Sequence, residues 1–347
     1  MQLESVLADL EAGNTAGLAR AISLVENGRE GFEQLLAAVH RRLGHARRVG
    51  ITGPPGAGKS TLTQQLVRHW RGEGHTVAVV AVDPTSPFSG GALLGDRIRM
   101  EGVALDRGVY IRSMATRGSV GGLATSTREV CDVLDAAGFD RVLVETVGVG
   151  QSELAVGTMA DSTVLVLVPE SGDGIQALKS GVMEIADVYA VNKSDRPGAS
   201  NLARDIEATI AIRQGKAYRG TRGHHGTAAG RTPPPVPESV KPEPAAWAPP
   251  VLLTIATTGT GIAELAAALD RHHAWLTERG GLAERRRGRH AARTREVVDR
   301  ALHRYVWHDT RAEEMVRERI DDVVAGRMSP YELAQEILSG LKENARV

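Results

Sequence analysis

Nine consecutive residues after a short apolar run have the types and spacing of a phosphate-binding loop. These residues are Gly53, Pro54, Pro55, Gly56, Ala57, Gly58, Lys59, Ser60 and Thr61. They contain the pattern G-x-x-x-x-G-K-[ST] and are followed by helix-forming residues. Glycines let the backbone point its N–H groups at a phosphate, and the start of the following helix adds favourable charge. In this pattern the lysine reaches the β- and γ-phosphates, and the serine hydroxyl binds magnesium. The segment therefore predicts a nucleoside triphosphate site.

A second motif, Asn-Lys-Ser-Asp at residues 192–195, follows an apolar run and indicates that the base is guanine. The carboxylate of Asp195 can accept the ring N–H and the exocyclic amine hydrogen of guanine, and adenine has no such donor pair. A buried group left unpaired costs roughly 1–3 kcal/mol, which is enough for strong discrimination. Asn192 and Lys193 are expected to brace the phosphate loop and to cover the base. A later loop is expected to read the guanine carbonyl through its backbone: Ile255, Ala256 and Thr257.

Three acidic residues are candidates to hold magnesium together with Ser60. Asp83 ends a β-branched run, Asp96 lies in a glycine-rich loop, and Glu145 closes another run where other GTPases carry Asp-x-x-Gly. Mg²⁺ prefers oxygen ligands and often keeps several waters, so these carboxylates can hold it directly or through water. Lys59, Asp83 and Glu145 form the predicted catalytic set.

Two groups that usually speed GTP hydrolysis are not evident in the sequence. Gly148 is expected to donate its N–H to the γ-phosphate, but no glutamine follows it directly, and Gln151 lies three residues further on. No arginine finger is evident either, although Arg112 and Arg117 flank a loop. Such a finger is worth about 10³–10⁵-fold in turnover. We therefore expect slow intrinsic hydrolysis that a partner accelerates.

The composition limits the class of protein. The chain has 347 residues, of which 42% are apolar and only 3% aromatic, so its core must consist mainly of Val, Leu, Ile and Ala. Its 42 basic and 42 acidic residues cancel, which argues against a general nucleic-acid or membrane-surface binder. The single cysteine, Cys131, excludes internal disulfides and thiolate-rich metal sites. With no signal-like N-terminus and no long apolar run, we expect a cytoplasmic protein.

The spacing of apolar residues predicts the elements that must position these motifs. Residues 1–46 show helical spacing, and from 47 to 280 short β-branched runs alternate with helical stretches. The runs are apolar throughout, as in parallel strands buried on both faces. This alternation predicts an α/β fold with a doubly wound, mostly parallel sheet that binds ligands at the carboxyl ends of its strands. The predicted strands after the first are residues 77–82, 109–111, 142–144, 164–168, 188–191 and 251–255.

Two regions depart from this alternation. Residues 215–247 are rich in glycine, proline and charge and are expected to form a flexible surface insertion. It contains His224 and His225, and two histidines in such a loop are usually solvated rather than metal ligands. Residues 281–347 begin with an arginine-rich stretch, either a solvated basic face or a phosphate or partner contact, and continue as long helices. An apolar stripe on these helices must pack against the domain or a second subunit: Val297, Val298, Ala301, Leu302 and Tyr305.

Together these motifs resemble the P-loop GTPases of the MeaB/ArgK type, the family of the methylmalonic aciduria type A protein. The resemblance covers nearly the whole chain except the 215–247 insertion, and the stretch from 82 to 100 is the most specific part of it. The matching segments are residues 19–26, 53–61, 82–100, 112–118, 145–151, 192–195 and 326–337.

The resemblance implies a GTP-hydrolysing chaperone that gates adenosylcobalamin delivery to a cobalamin-dependent acyl-CoA mutase, typically methylmalonyl-CoA mutase, and protects that enzyme. It also implies Mg²⁺ and GTP or GDP as ligands, a homodimer formed through the C-terminal helices, and a mobile switch loop at residues 169–179. Lys59, Asp83, Asp96 and Glu145 match the family positions around phosphate and magnesium. The chain has no Asp-x-His-x-x-Gly cobalamin motif, so cobalamin is expected only on the partner.

Two other functions remain open within the same superfamily. A metal-insertion GTPase normally carries cysteine-rich or histidine-dense motifs, and this chain has one cysteine and a single Gly-His-His-Gly. A transport-linked kinase needs a site for a phosphate acceptor, to which nothing in the sequence points.

Overall fold

The computed structural model describes residues 3–83, 100–115, 120–146, 152–169, 181–213 and 246–344. In these residues the chain forms seven β-strands and twelve α-helices. It divides into two units, Met1–Leu282 and Ala283–Val347.

The first unit is built on a seven-stranded sheet with the strand order β3-β2-β4-β1-β5-β6-β7. All pairings between these strands are parallel. The strands are β1 (Arg47–Thr52), β2 (Val77–Asp83), β3 (Val109–Ala115), β4 (Arg141–Thr146), β5 (Ser162–Leu167), β6 (Val188–Val191) and β7 (Val251–Leu253). The predicted doubly wound parallel sheet is therefore confirmed.

The predicted bounds of β2 and β4–β7 agree with the structure to within two residues at each end, whereas β3 continues four residues beyond the predicted 109–111. The difference at β7 is informative. The apolar run 251–255 predicted a strand through Ile255, but β7 ends at Leu253. Ile255 instead forms an antiparallel bridge with Thr260 across a tight turn. Gly261 follows with φ +77°, and a Cβ there would lie 2.2 Å from the carbonyl oxygen of Leu253, so only glycine fits this return of the chain.

Helices lie on both faces of the sheet. The first unit contains α1 (Leu3–Glu11), α2 (Thr15–Glu26), α3 (Phe32–Val39), α4 (Lys59–Gly72), α5 (Glu101–Ala104), α6 (Val120–Ala136), α7 (Ser152–Met159), α8 (Ala199–Arg213) and α9 (Ile262–Glu278). The second contains α11 (Ala312–Val324), α12 (Pro330–Asn344) and nearly all of α10 (Gly281–His308). Short 3₁₀ turns occupy His40–Arg42 and Gly181–Glu184.

Two large apolar clusters, one on each face of the sheet, hold the first unit together. One contains Ile22 and Leu35 of the N-terminal helices, residues of α6, and Val80 of β2. The other contains residues of α4 and α9 together with Val79 of β2. Neighbouring residues of β2 thus enter opposite clusters, which explains why the sequence of this strand is apolar without alternation. The helical spacing predicted for the N-terminus is confirmed by the burial of Ile22 and Leu35.

The single cysteine lies inside the first of these clusters. Cys131 of α6 is fully buried, beside the ion pairs that Arg48 forms with Asp132 and Asp135. Burial raises the pKa of the Cys131 thiol to about 12, even though the nearby Arg48 charge opposes that shift. This residue therefore fills space in the core as a neutral thiol.

The second unit consists of helices with a small apolar cluster. Ala312, Leu333 and Ile337 are its buried residues, surrounded by partly buried side chains such as Trp307 and Met315. The predicted apolar stripe of α10 is exposed, with Val298 at 49% and Leu302 at 54% of full exposure. The helices α10, α11 and α12 confirm the predicted helical C-terminus. Among the described helices of the chain, none is both long and apolar enough to cross a membrane.

Candidate nucleotide-binding site

The predicted phosphate-binding loop connects the end of β1 to the start of α4, at the carboxyl edge of the sheet centre. Gly53 has φ +140°, and a Cβ there would lie 2.1 Å from the carbonyl oxygen of Val166 on β5. Gly58 has φ +86°, and a Cβ there would lie 2.5 Å from Nδ2 of Asn192. Both positions therefore require glycine for conformation and for space. The first turn of α4 follows directly, where backbone N–H groups and helix charge favour an anion.

Lys59 lies at the start of α4 and is almost fully buried. Its Nζ donates hydrogen bonds to the carbonyl oxygens of Gly53, at 2.8 Å, and Pro54, at 3.0 Å. These bonds hold the ammonium group across the loop that it belongs to. In the P-loop pattern this ammonium reaches the β- and γ-phosphates of the nucleotide.

The carboxylate of Glu145 is bound to two hydroxyl groups of α4. Ser60 Oγ donates to Oε1 at 2.6 Å, and Thr63 Oγ1 donates to Oε2 at 2.9 Å. Ser60, Thr63 and Glu145 are all buried. A hydroxyl and a carboxylate oxygen this close are hard oxygen donors of the kind that Mg²⁺ takes. These residues therefore fit the magnesium ion that the P-loop pattern implies.

The other predicted magnesium and phosphate residues divide between described and undescribed parts of the chain. Asp83 ends β2, where Ala81 pairs with Glu145, so its backbone lies at the same sheet edge as Glu145. Asp96 and Gly148 lie outside the described residues. So do Gln151, Arg117, His224 and His225, the 215–245 part of the predicted insertion, and all of the predicted switch loop after Pro169.

On the opposite side of the loop, Asn192 joins three segments through one amide group. It follows β6 and is 2% exposed. Its Nδ2 donates to the carbonyl oxygen of Ala57 in the phosphate loop at 2.8 Å. Its Oδ1 accepts from the backbone N–H of Ala256 at 3.0 Å and from Thr254 Oγ1 at 3.3 Å. The predicted phosphate loop and the predicted base-reading loop are therefore fixed relative to each other by this side chain.

The two residues after Asn192 turn the chain outward. Lys193 has φ +56°, which makes it the one non-glycine residue with positive φ in the described part of the chain. Ser194 then donates its N–H to the carbonyl oxygen of Thr254, and Asp195 is exposed. Uncommon left-handed backbone at a non-glycine residue is often found at functional sites. Here it separates a buried, structural Asn192 from an Asp195 that is accessible to a ligand.

The three residues predicted to read the guanine carbonyl lie in the turn after β7. Ile255 pairs with Thr260, and its carbonyl oxygen accepts the N–H groups of Thr258 and Gly259. Ala256 is held by Asn192, and Thr257 is exposed at the tip. The backbone of this segment is thus fixed by its own turn and by the Asn192 side chain.

Arg112, one of the two arginines considered near the site, is bound elsewhere. Its guanidinium forms an ion pair with Glu26 of α2, with Nε 3.0 Å from Oε2, and its Nη2 donates to Ser23 Oγ at 3.4 Å. In this structure Arg112 therefore connects β3 to the N-terminal helices.

Two residues that contact the site were not found from the sequence. Thr63 binds Glu145, and Thr254 binds Asn192. The signal for Thr63 was available, because residues three apart share one face of a helix and Thr63 is three residues after Ser60. Thr254 directly precedes the base-reading segment, but its sequence position alone gives no hint of which way its hydroxyl points.

Known proteins resemble this chain over most of its length. The family model described as "Methylmalonyl Co-A mutase-associated GTPase MeaB" matches residues 18–311. A "Probable GTPase" of Mycobacterium tuberculosis is 40% identical over 336 residues, covering 95% of this chain and 92% of that protein. The "Methylmalonic aciduria type A homolog, mitochondrial" of Mus musculus is 31% identical over 353 residues, covering 96% of this chain and 78% of that protein.

A solved structure has a similar fold. The crystal structure titled "LAO/AO transport system kinase" superposes with a TM-score of 0.63 and 27% identity, covering 98% of this chain and 97% of that one.

Proposed function

This chain is a GTPase that belongs to the MeaB family of methylmalonyl-CoA mutase-associated GTPases, and we propose that it gates adenosylcobalamin delivery to a cobalamin-dependent acyl-CoA mutase and protects that enzyme. GTP hydrolysis would time the handover between the two proteins. The proposal has three parts: recognition of guanine, hydrolysis with the named residues, and contact with the mutase.

The contacts of Asn192 carry the proposal that this site takes GTP. Its single amide bonds to Ala57 and Ala256, which brings the candidate phosphate loop and base loop to opposite ends of one side chain. Asp195 is exposed three residues later, where its carboxylate can accept the two N–H donors of guanine. A bound adenine would cover that carboxylate without pairing it, and a polar group buried unpaired costs roughly 1–3 kcal/mol.

For hydrolysis we assign separate roles to the buried groups. Lys59 and the first N–H groups of α4 would neutralise charge on the phosphates as the bond to the γ-phosphate breaks. Ser60, Glu145 and, by their predicted positions, Asp83 and Asp96 would hold Mg²⁺, which would supply positive charge against the charge that develops on the phosphates. Arg112 is paired with Glu26, which agrees with slow intrinsic turnover that a partner accelerates.

The partner is proposed from the family and from the mouse relative. The family description names the mutase, and the mouse protein is named for methylmalonic aciduria. Cobalamin would be held by the mutase alone. We further propose a cytoplasmic homodimer in which the exposed stripe of α10 packs against a second copy, because Val298 and Leu302 are apolar and about half exposed in the single chain.

The guanine assignment is tested with Asp195→Asn. The asparagine amide can donate to the carbonyl oxygen that xanthine carries in place of the guanine amine, so preference should move from GTP toward xanthosine triphosphate. Affinities for both nucleotides are measured by competition against a fluorescent GDP analogue. Asp205→Asn removes a carboxylate in the same way at an exposed position of α8, and is the matched control. An unchanged preference in Asp195→Asn would remove Asp195 from base recognition.

The partner assignment is tested by co-purification with purified acyl-CoA mutases. The chain loaded with a non-hydrolysable GTP analogue should retain a mutase. In a separate assay, the chain supplied with GTP should show faster turnover when that mutase is present. Lys59→Ala is the control that cannot carry the nucleotide. If no methylmalonyl-, ethylmalonyl- or isobutyryl-CoA mutase is retained or changes turnover, the chaperone role fails while the GTPase assignment stands.

The solved relative keeps one alternative open, since its title describes a transport-system kinase. A kinase would transfer the γ-phosphate to a protein, whereas the proposed reaction transfers it to water. The two are separated by adding γ-labelled GTP to the chain in a cell extract and following the label. Label in free phosphate supports the GTPase, and label on a protein supports the kinase.

A further inference from the structure

We propose that Thr63 is a positioning residue for Glu145, and that its hydroxyl sets the affinity of the nucleotide site for Mg²⁺. This inference rests on the proposed GTP site. It concerns a residue outside the phosphate-loop pattern.

The two oxygens of the Glu145 carboxylate are held by different hydroxyls from the same face of α4. Ser60 donates to Oε1 at 2.6 Å, and Thr63 donates to Oε2 at 2.9 Å. A carboxylate held at both oxygens cannot rotate about its last side-chain bond without breaking one of the two hydrogen bonds. Its orientation is therefore set by both residues together.

The backbone beneath Glu145 is already rigid. Glu145 lies in β4 between Ile51 of β1 and Ala81 of β2. The next residue, Thr146, bonds through its hydroxyl to that of Thr52, at 3.2 Å. Because the strand cannot move, the remaining freedom of Glu145 is in its side-chain torsions, which the Thr63 hydroxyl restricts.

The hydroxyls of Ser60 and Thr63 differ in whether they can also reach a bound cation. Ser60 occupies the position in the P-loop pattern that binds magnesium, so its oxygen must serve the cation as well as Glu145. Thr63 lies one turn deeper in α4 and is 0% exposed, so it cannot reach a ligand. It keeps Glu145 in place while Ser60 engages the cation. Outer partners of this kind typically change metal affinity by about 10–100-fold when they are removed.

The test compares Thr63→Val with Thr63→Ser in the full chain. Valine keeps the shape of threonine and removes the hydroxyl, whereas serine keeps the hydroxyl. Thr127→Val is the matched control, because Thr127 is also 0% exposed and its hydroxyl has no hydrogen-bond partner in the described residues. The readout is the rate at which a fluorescent GDP analogue dissociates, measured across a titration of MgCl₂ and also in EDTA.

Thr63→Val should shift the midpoint of the MgCl₂ titration upward by about 10-fold or more, with an unchanged dissociation rate in EDTA. Thr63→Ser should restore the midpoint to within about two- to threefold of the wild type. Equal midpoints in Thr63→Val, Thr127→Val and the wild type would overturn the inference while leaving the GTP site intact. Loss of nucleotide binding by the wild type itself would instead refute the proposed function.

If Thr63→Val does not fold, as judged by circular dichroism, the test moves to Thr63→Ala, Glu145→Gln and the double variant Glu145→Gln/Thr63→Ala. A positioning role acting through Glu145 predicts that alanine at 63 raises the midpoint in the otherwise wild-type chain and adds no further shift once Glu145 has been changed. A shift that is additive across the two variants would show that Thr63 acts on something other than Glu145, and would also overturn the inference.

Discussion

The two units of this chain bury their apolar residues to very different extents. The described residues of the first unit form three clusters of buried apolar side chains that pack both faces of a seven-stranded sheet. In the second, the described residues include three buried apolar side chains, Ala312, Leu333 and Ile337. Within α10, all of which the structure describes, no residue is buried. A small helical unit with so small a core gains little stability from its own packing.

The polar groups of the two units also differ in burial, and again those of the first unit are the more buried. In the first unit Glu145 and Asn192 are buried, and each has several hydrogen-bond partners. In the second unit, pairs such as Arg311–Glu314 are exposed on both sides, so they contribute little. The first unit therefore buries the polar residues of the candidate site, whereas the second leaves charged pairs and the apolar stripe of α10 exposed.

The largest expected effect on nucleotide binding belongs to the first unit. Lys59→Ala removes the ammonium that bridges the loop and should weaken GTP binding by at least about 100-fold, or roughly 2.7 kcal/mol. Titration with a fluorescent GTP analogue measures this, and circular dichroism should show an unchanged helix content. Arg68→Ala, at an exposed position of the same helix, is the control. Wild-type GTP turnover by Lys59→Ala would refute the P-loop assignment.

A pair of matched truncations tests the difference in packing directly. Leu66 of α4 is 0% exposed, so Leu66→Ala should lower the free energy of unfolding by about 2–5 kcal/mol. Leu302 of α10 is 54% exposed, so Leu302→Ala should cost less than about 0.5 kcal/mol when the chain is monomeric. Urea unfolding at low protein concentration gives both values. A large loss in monomeric Leu302→Ala would show that the α10 stripe packs within its own chain.

A charge on the same stripe tests whether the second unit presents its surface to another copy. Leu302→Glu should weaken self-association by at least about 10-fold, because a carboxylate would lose its water in an apolar interface. Sedimentation or light scattering across a dilution series measures the change. Leu105→Glu, at a residue 95% exposed in the first unit, is the control. Equal self-association in the two variants would argue against α10 as the interface.

A small pH dependence of stability is expected from Asp140, which directly precedes β4 in the first unit. Burial alone would raise the pKa of Asp140, but hydrogen bonds from the Thr76 N–H and hydroxyl, with His45 and His75 nearby, hold it below its usual value. A lowered pKa in the folded state adds stability above the unfolded value of about 3.9, and that stability is lost as the pH falls through the folded value. Asp140→Asn should therefore lower stability at pH 7 by at most about 1 kcal/mol and converge with the wild type near pH 2. Thermal melts at several pH values follow the difference, and a constant gap at every pH would contradict it.

Most of what could be predicted from the sequence depends on residues that lie close together along the chain. The loop 53–61 and the motif 192–195 are contiguous patterns, and the apolar runs of the sheet are visible residue by residue. The contact between Thr63 and Glu145 joins residues 82 positions apart, and Asn192 meets Ala57 across 135. Such contacts depend on strand order, which brings β4 beside β1 and β6 near the loop only after folding. Local spacing also could not show that the stripe of α10 stays exposed in a single chain.

The buried cysteine of the first unit has a practical consequence. Because Cys131 is fully buried and its thiol has a pKa of about 12, it stays protonated and shielded from reagents at neutral pH. A cysteine introduced at an exposed position of α10 would then be the group that a maleimide dye attacks. The natural chain is therefore ready for site-specific labelling, and distances between the labels of two copies could be followed during a GTP cycle without first removing a native thiol.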